Sequence, residues 1–346
     1  MTRCFISFAG AKTWRYRFAF TKAGLRSSFT DLKDGTIMHC WVPANRKESK
    51  QDLLLIHGLG ANALWNWGDL VPLLTPHFNV YVPDLLFFGE SFTTREERTE
   101  SFQAQCVMRV MEAHSVRRLS LVGLSYGGFV GYSMAAQFRE AVERVVICCA
   151  AVCMEEKDLR EETFKVSDVE EAARILVPQT TDKLKELLAY TFFRPPPLGL
   201  LPSCLLNDLI DEFCSEYVDE KRELVRAIPK DRKLEDLPKI TQVSGILFSL
   251  FSLDLFTDFP HKQIIIMIFL RQPTLILWGE HDQVFPVEFA YRLKRHLGDN
   301  AHLTLIKKAG HAFNVEKPNE YYKLLKHFLV DLQQPPTASC EPPSKP

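Results

Sequence analysis

The run Gly123-Leu124-Ser125-Tyr126-Gly127-Gly128, with Leu119-Ser120-Leu121-Val122 before it and an apolar stretch to Phe138 after it, constrains this chain more than any other segment. Leu119–Val122 reads as a buried strand and Gly128–Phe138 as a helix, with no room for a loop between them. So abrupt a strand-to-helix turn holds its central residue in a strained conformation and lifts the Ser125 hydroxyl clear of the sheet. Glycines two residues to either side let neighbouring backbone approach without Cβ clashes.

The same grammar continues along the chain. Phe29–Leu32 and Thr36–Val42, joined by Lys33-Asp34-Gly35, read as a hairpin with an Asp-Gly turn. Leu53–Ile56, Val80–Val82, Val145–Ala151, Thr274–Trp278 and Leu303–Ile306 are short apolar strands. Helical stretches fall at 99–114, 287–297 and 316–331. Strands alternating with helices predict an α/β fold with a mostly parallel central sheet and helices on both faces. After Cys153 the composition changes: residues 154–242 are charged and helical, broken by Pro195-Pro196-Pro197, and read as an inserted helical cap. The core is then 30–153 plus 273–332, and the tail 333–346, with five prolines in its last twelve residues, reads as disordered.

A serine hydroxyl is a weak nucleophile and needs a base, which in turn needs an orienting acid. Both stand just beyond strands: Asp282 in Trp278-Gly279-Glu280-His281-Asp282 and His311 in Ala309-Gly310-His311-Ala312. Glu280 and His281 compete with Asp282, which is preferred because it lies further into the loop that Phe285-Pro286 closes. The alternative for His311 is a hydrogen-bonded surface histidine. An oxyanion needs two preorganised N–H donors; the backbone of Tyr126 offers one, and Leu59, with Gly58 as the fallback, offers the other from His57-Gly58-Leu59-Gly60. His57 reads as a structural residue bonded to its own loop, and Asp84 as a turn stabiliser beneath the pocket.

These residues resemble the α/β-hydrolase family over roughly 200 residues of core. The runs His39-Cys40-Trp41-Val42-Pro43 and Asn62-Ala63-Leu64-Trp65 look like its plant members, which are similar in turn to monoacylglycerol-lipase-type and meta-cleavage hydrolases. The resemblance implies an α/β-hydrolase fold and a catalytic triad of Ser125, Asp282 and His311. A serine at the turn argues against the family branches that place aspartate there. Leu124 and Ala312 depart from the Asn and Trp common in carbon–carbon hydrolases, favouring ester cleavage through an acyl-enzyme. The expected substrate is a small hydrophobic ester. Carbon–carbon hydrolysis and a ligand receptor without turnover are the alternatives.

Phe192, Phe193 and Leu201, with Leu198, Leu200 and Leu205, could form an apolar lid that binds substrate, although ordinary cap packing would account for most of them. The 42 basic and 43 acidic side chains leave a formal charge of −1, which gives no global attraction to nucleic acid. No metal or nucleotide motif occurs, so no cofactor is expected. Nine cysteines without a Cys-x-x-Cys pair suggest reduced thiols in the cytoplasm, with Cys148 and Cys149 in the core.

Two segments fit this scheme poorly. Residues 1–29 contain no acidic residue, while Arg3, Lys12, Arg15, Arg17, Lys22 and Arg26 alternate with Phe5, Phe8, Trp14, Tyr16, Phe18 and Phe20. This extension either packs on the domain or serves as a targeting peptide or peripheral membrane contact; no apolar run is long enough for a transmembrane segment. Residues 243–272 form an apolar insertion between Gln242 and Pro273, beginning Val-Ser-Gly and ending Arg-Gln, as a translated retained intron would. An extra cap helix is the other reading.

Overall fold

The computed structural model describes residues 7–159, 164–166, 168–240, 242–249, 266–272 and 274–331. The N-terminal half runs α1 (Phe8–Lys22), β1 (Leu25–Asp31), β2 (Thr36–Pro43), β3 (Gln51–Ile56), α2 (Ala63–Trp67), α3 (Val71–Leu74), β4 (Phe78–Pro83), β5 (Phe92–Thr93), α4 (Glu100–Ala113), β6 (Leu119–Leu124), α5 (Tyr126–Gln137) and β7 (Val142–Cys148). Four helices follow: α6 (Val169–Leu176), α7 (Thr181–Thr191), α8 (Ser203–Phe213) and α9 (Val218–Ala227). The chain ends in β8 (Gln242–Ser249), β9 (Ile266–Gln272), β10 (Thr274–Gly279), α10 (Glu288–Leu297), β11 (Ala301–Ile306), α11 (Phe313–Glu316) and α12 (Pro318–Leu329).

The main sheet runs β1-β2-β4-β3-β6-β7-β10-β11, with β5 on β2. β1, β2 and β4 pair antiparallel, and from β4 to β11 the pairs are parallel. Helices cover both faces of a parallel sheet, so its strands must be apolar on both sides; every residue of β4, β6 and β10 is buried. This is the α/β-hydrolase fold. Three boundaries moved for local reasons. The helix after the elbow starts at Tyr126, because Ser125 itself is its N-cap. β7 stops at Cys148, because Cys149 turns to φ +46°. The last predicted helix, 316–331, starts only at Pro318, a first-turn proline, and the short α11 precedes it.

The N-terminal extension divides. Leu25–Phe29 belong to β1, and α1 packs on the domain through buried Ala9, Tyr16 and Phe20. Ala9 N–H and Thr13 Oγ1 donate to Asp208 and Glu212 of α8, and Tyr16 OH donates to Asp69. α1 therefore touches both the core and the helices α6–α9.

Within 243–272 the described ends are strands and not a cap helix. β8 and β9 form a separate antiparallel pair in which Gln242 faces Gln272, so the segment leaves and rejoins the chain at one place. Its middle, 250–265, and the proline-rich tail lie outside the described residues. Cys40, Cys106, Cys148, Cys149, Cys153 and Cys214 are free and buried, whereas Cys204 is disulfide-bonded, which the expectation of reduced thiols did not include.

Candidate active site

β6 delivers Ser125 at φ +54°, ψ −121°, a conformation an L-residue holds only when its surroundings impose it. Two hydrogen bonds impose it here: Ser125 N–H donates to Cys148 O at 2.8 Å, and Gly128 N–H donates to Ser125 O at 2.8 Å. The flanking glycines are steric necessities. A Cβ on Gly123 would sit 2.3 Å from Gly127 O, and one on Gly127 would sit 2.3 Å from Ile56 O.

His311 faces this serine with Nε2 2.8 Å from Ser125 Oγ, while its Nδ1 lies 2.8 Å from Asp282 Oδ2. The other Asp282 oxygen accepts from the N–H groups of Val284 and Phe285 at 2.8 and 2.9 Å. With that carboxylate ionised, Nδ1 carries the ring proton and Nε2 is left as the acceptor for the serine hydroxyl. Glu280 and His281 lie elsewhere. Glu280 accepts from Lys308 N–H, and the His281 ring stacks on Phe193 with centroids 4.3 Å apart. Gly279 is pinned against the histidine loop, since a Cβ there would fall 2.0 Å from Gly310 O.

The loop after β3 lies against the serine: a Cβ on Gly58 would be 3.0 Å from Ser125 Cβ. Gly58 N–H already donates to Asn66 Oδ1 at 2.7 Å, which removes the fallback donor and leaves Leu59, the next residue of the turn. Tyr126 is the first residue of α5, and N–H groups at a helix start have no intrahelical acceptor. His57 is fully buried, with Nδ1 2.8 Å from Gly58 O, and its Nε2 accepts from Leu85 N–H at 2.9 Å. Burial lowers its pKa, which keeps the ring neutral. Asp84 accepts from Ala63 N–H at 2.9 Å and sits 2.7 Å from His39 Nδ1. His39 Nε2 in turn lies 2.9 Å from Ser27 Oγ. Asn66 escaped the sequence reading; its only signal was a lone amide in the apolar run Leu64-Trp65-Asn66-Trp67.

Cys149 Sγ, a carboxylate oxygen of Asp282 and a ring nitrogen of His311 lie within 4.8 Å of one another. Burial first, then the adjacent Asp282, pushes the thiol well above its usual 9.0, so it stays protonated and is a poor metal ligand.

An apolar cavity lies between α6, α7, α9 and the acid loop, lined by Met154, Phe164, Leu187, Val225, Val284 and Phe285 among others. Its cavity volume is about 90 Å³, small beside the ~300–1,000 Å³ usual for small-molecule sites, so it has room for a slim apolar group. Neither Ser125 nor His311 lines it, but the ring of Phe285, which does, lies 5.7 Å from that of His311. Among the described residues that line it the one cation, Lys165, hydrogen-bonds Gln283. Phe192 caps α7, Phe193 stacks on His281, and Leu201 joins a cluster with Leu184, Leu206, Ile210 and Cys214. None of the three lines this cavity.

Comparison with known proteins agrees with the fold. A family model described as "alpha/beta hydrolase fold" matches residues 53–318. The chain is similar to a pyrrolizixenacetamide deacetylase of Xenorhabdus hominickii, 27% identical over 82% of this chain and 92% of the relative. It is also similar to a 2-hydroxy-6-oxo-6-(2'-aminophenyl)hexa-2,4-dienoic acid hydrolase of Metapseudomonas resinovorans, 25% identical over 81% and 84%. A monoacylglycerol lipase of Xenopus laevis is 23% identical over 92% of this chain and 86% of its own length.

Proposed function

The chain belongs to the alpha/beta hydrolase family, and from that premise we propose that it is a serine hydrolase cleaving hydrophobic carboxylic esters. Ser125 Oγ attacks the ester carbonyl while His311 Nε2 takes its proton, and Asp282 steadies the imidazolium that forms. The oxyanion is held by the N–H groups of Leu59 and Tyr126. Collapse of the tetrahedral intermediate breaks the ester C–O bond, and His311 returns the proton to the departing alcohol. Water then repeats the cycle on the acyl-enzyme and frees the acid.

The observation that carries this reading is the strained Ser125, bonded to His311, whose ring neighbours Phe285 at the wall of a cavity that is apolar almost throughout. An apolar lining suits the acyl chain of an ester better than the dienoic acid in the name of the carbon–carbon hydrolase. Among the described residues Lys165 is the one cation lining it that could meet a carboxylate, and it is engaged by Gln283. A fluorophosphonate probe and a series of p-nitrophenyl esters of increasing chain length test the reading. Labelling confined to Ser125, with turnover of apolar esters, is expected. An unlabelled Ser125 together with no ester turnover overturns it and leaves the receptor alternative.

A further inference from the structure

α1 buries one face and leaves another in solvent that is just as aromatic. At about 100° per residue, Tyr16, Phe20 and Ala9 share the packed side, while Trp14 and Phe18 project from the opposite side. Trp14 is 69% exposed, Phe18 58% and Phe8, at the edge of this face, 52%. The Trp14 and Phe18 rings stack with centroids 6.1 Å apart at 13°, which makes one continuous apolar plate. Single exposed hydrophobic residues are ordinary, but two stacked rings on one face of a helix, with a third at its edge, mark a covered surface.

The charge around the plate indicates what covers it. Residues 7–30 contain no acid. Arg15, Lys22 and Arg26 are exposed beside or just beyond the rings, and Lys22 and Arg26 form no ion pair among the described residues. Arg15 reaches Asp69 only at 3.9 Å, and Arg17 pairs with Glu90. Aromatic rings among cations suit an anionic bilayer surface, where the rings enter the headgroup boundary and the cations meet lipid phosphate. A second copy of this face would instead bring like charges together.

We propose that the outer face of α1, centred on Trp14 and Phe18, docks the protein on an anionic phospholipid surface. The helix lies along the bilayer and does not cross it; among the described residues no helix is long and apolar enough to span a membrane. Because α1 also touches α2, which lies behind the Gly58 loop, docking holds the protein by a helix that packs against one side of the site.

Co-sedimentation of the full chain with vesicles of phosphatidylcholine, or of phosphatidylcholine mixed with phosphatidylserine, tests the proposal without any turnover, so its failure is distinct from failure of the hydrolase reading. The unaltered protein is expected to pellet with the mixed vesicles and far less with neutral ones. Trp14→Ser with Phe18→Ser should lower partitioning about a hundredfold, roughly tenfold for each ring, while hydrolysis of a soluble ester is unchanged. Lys22→Glu, which leaves both rings in place, should weaken binding to the mixed vesicles only. Equal pelleting by parent and double variant overturns the proposal. So does a dimer by light scattering that the double variant dissolves, with no vesicle binding by the parent, since that assigns the face to a second copy.

Discussion

The molecule contains two hydrogen-bonded Ser–His–Asp chains whose distances are almost the same. From Ser125 through His311 to Asp282 the contacts are 2.8 and 2.8 Å, and from Ser27 through His39 to Asp84 they are 2.9 and 2.7 Å. What differs is everything around the serines. Ser125 occupies a left-handed turn at a helix start, with the Gly58–Leu59 loop against it and an apolar cavity nearby. Ser27 lies in extended β1, opposite Trp41, on the edge strand of the sheet. Asp84 spends its second oxygen on Ala63 N–H, so that chain ties β1 and β2 to the start of α2. A relay of correct length can be a structural tether; the strained elbow at a helix start makes one a candidate catalyst.

The largest effects should separate the two chains by rate. Ser125→Ala is expected to lower ester hydrolysis by about 10⁴–10⁶-fold with an unchanged melting temperature. Asp282→Asn should cost about 10⁴-fold, because an amide favours the wrong imidazole tautomer. Asp84→Asn should do the reverse, destabilising the fold by about 2 kcal/mol while the folded fraction keeps most of its rate. If Asp84→Asn lowers the rate as far as Asp282→Asn does, the distinction between catalyst and tether collapses.

A middle-sized effect is expected at Asn66. Its Oδ1 holds Gly58 N–H, so Asn66→Ala frees the loop that carries Leu59. Slight misplacement of an oxyanion donor is expected to lower kcat by about tenfold to a hundredfold with little change in KM. A change in KM alone would show that the loop binds substrate and does not meet the oxyanion.

How far this site was legible depends on the distance over which each feature is specified. The elbow is local: Gly123 and Gly127 are required by backbone contacts within the turn and with Ile56, so six residues reveal it. Asp282 and His311 are delivered by β10 and β11, and strand ends are visible as apolar runs. The Asn66–Gly58 bond left no trace, because a single amide eight residues away has no periodicity. The cavity joins Met154, Val225 and Phe285, which are far apart in sequence, so only the packing of α6–α9 brings them together. Phe192 and Phe193 looked like lid residues because an aromatic pair before prolines can lie on any flat surface; Phe193 took His281. α1 was hidden differently. With aromatic residues on both of its faces it shows no contrast between an inner and an outer side.

A smaller effect concerns the acid limit of stability. The His57 pKa lies below its usual 6.5 because the ring is buried. The unfolded chain therefore takes up a proton near pH 6.5 that the folded protein refuses, so stability is full above that pH and falls as the pH drops below it. His114 and His296 are lowered by burial as well and act with the same sign. His57→Gln should thus flatten the fall of Tm between about pH 6.5 and 5 without abolishing it. A slope unchanged by the substitution would place the acid sensitivity at the other two rings.

The smallest expected effect is the sharpest test of the comparison. Ser27 is exposed and its hydroxyl bonds His39 from an edge strand, so Ser27→Ala should cost at most about 1 kcal/mol. It should leave ester turnover unchanged, because no helix start lies behind this serine to hold an oxyanion. The decisive arm is fluorophosphonate labelling of the Ser125→Ala protein. With Ser125 removed, His39 and Asp84 still stand at relay distance from Ser27, and what is missing is the strained turn at a helix start and the oxyanion donors proposed for it. No label at Ser27 means that those missing parts, and not the relay, make Ser125 reactive. A label at Ser27 that His39→Ala abolishes would mean the relay alone suffices and would break the comparison.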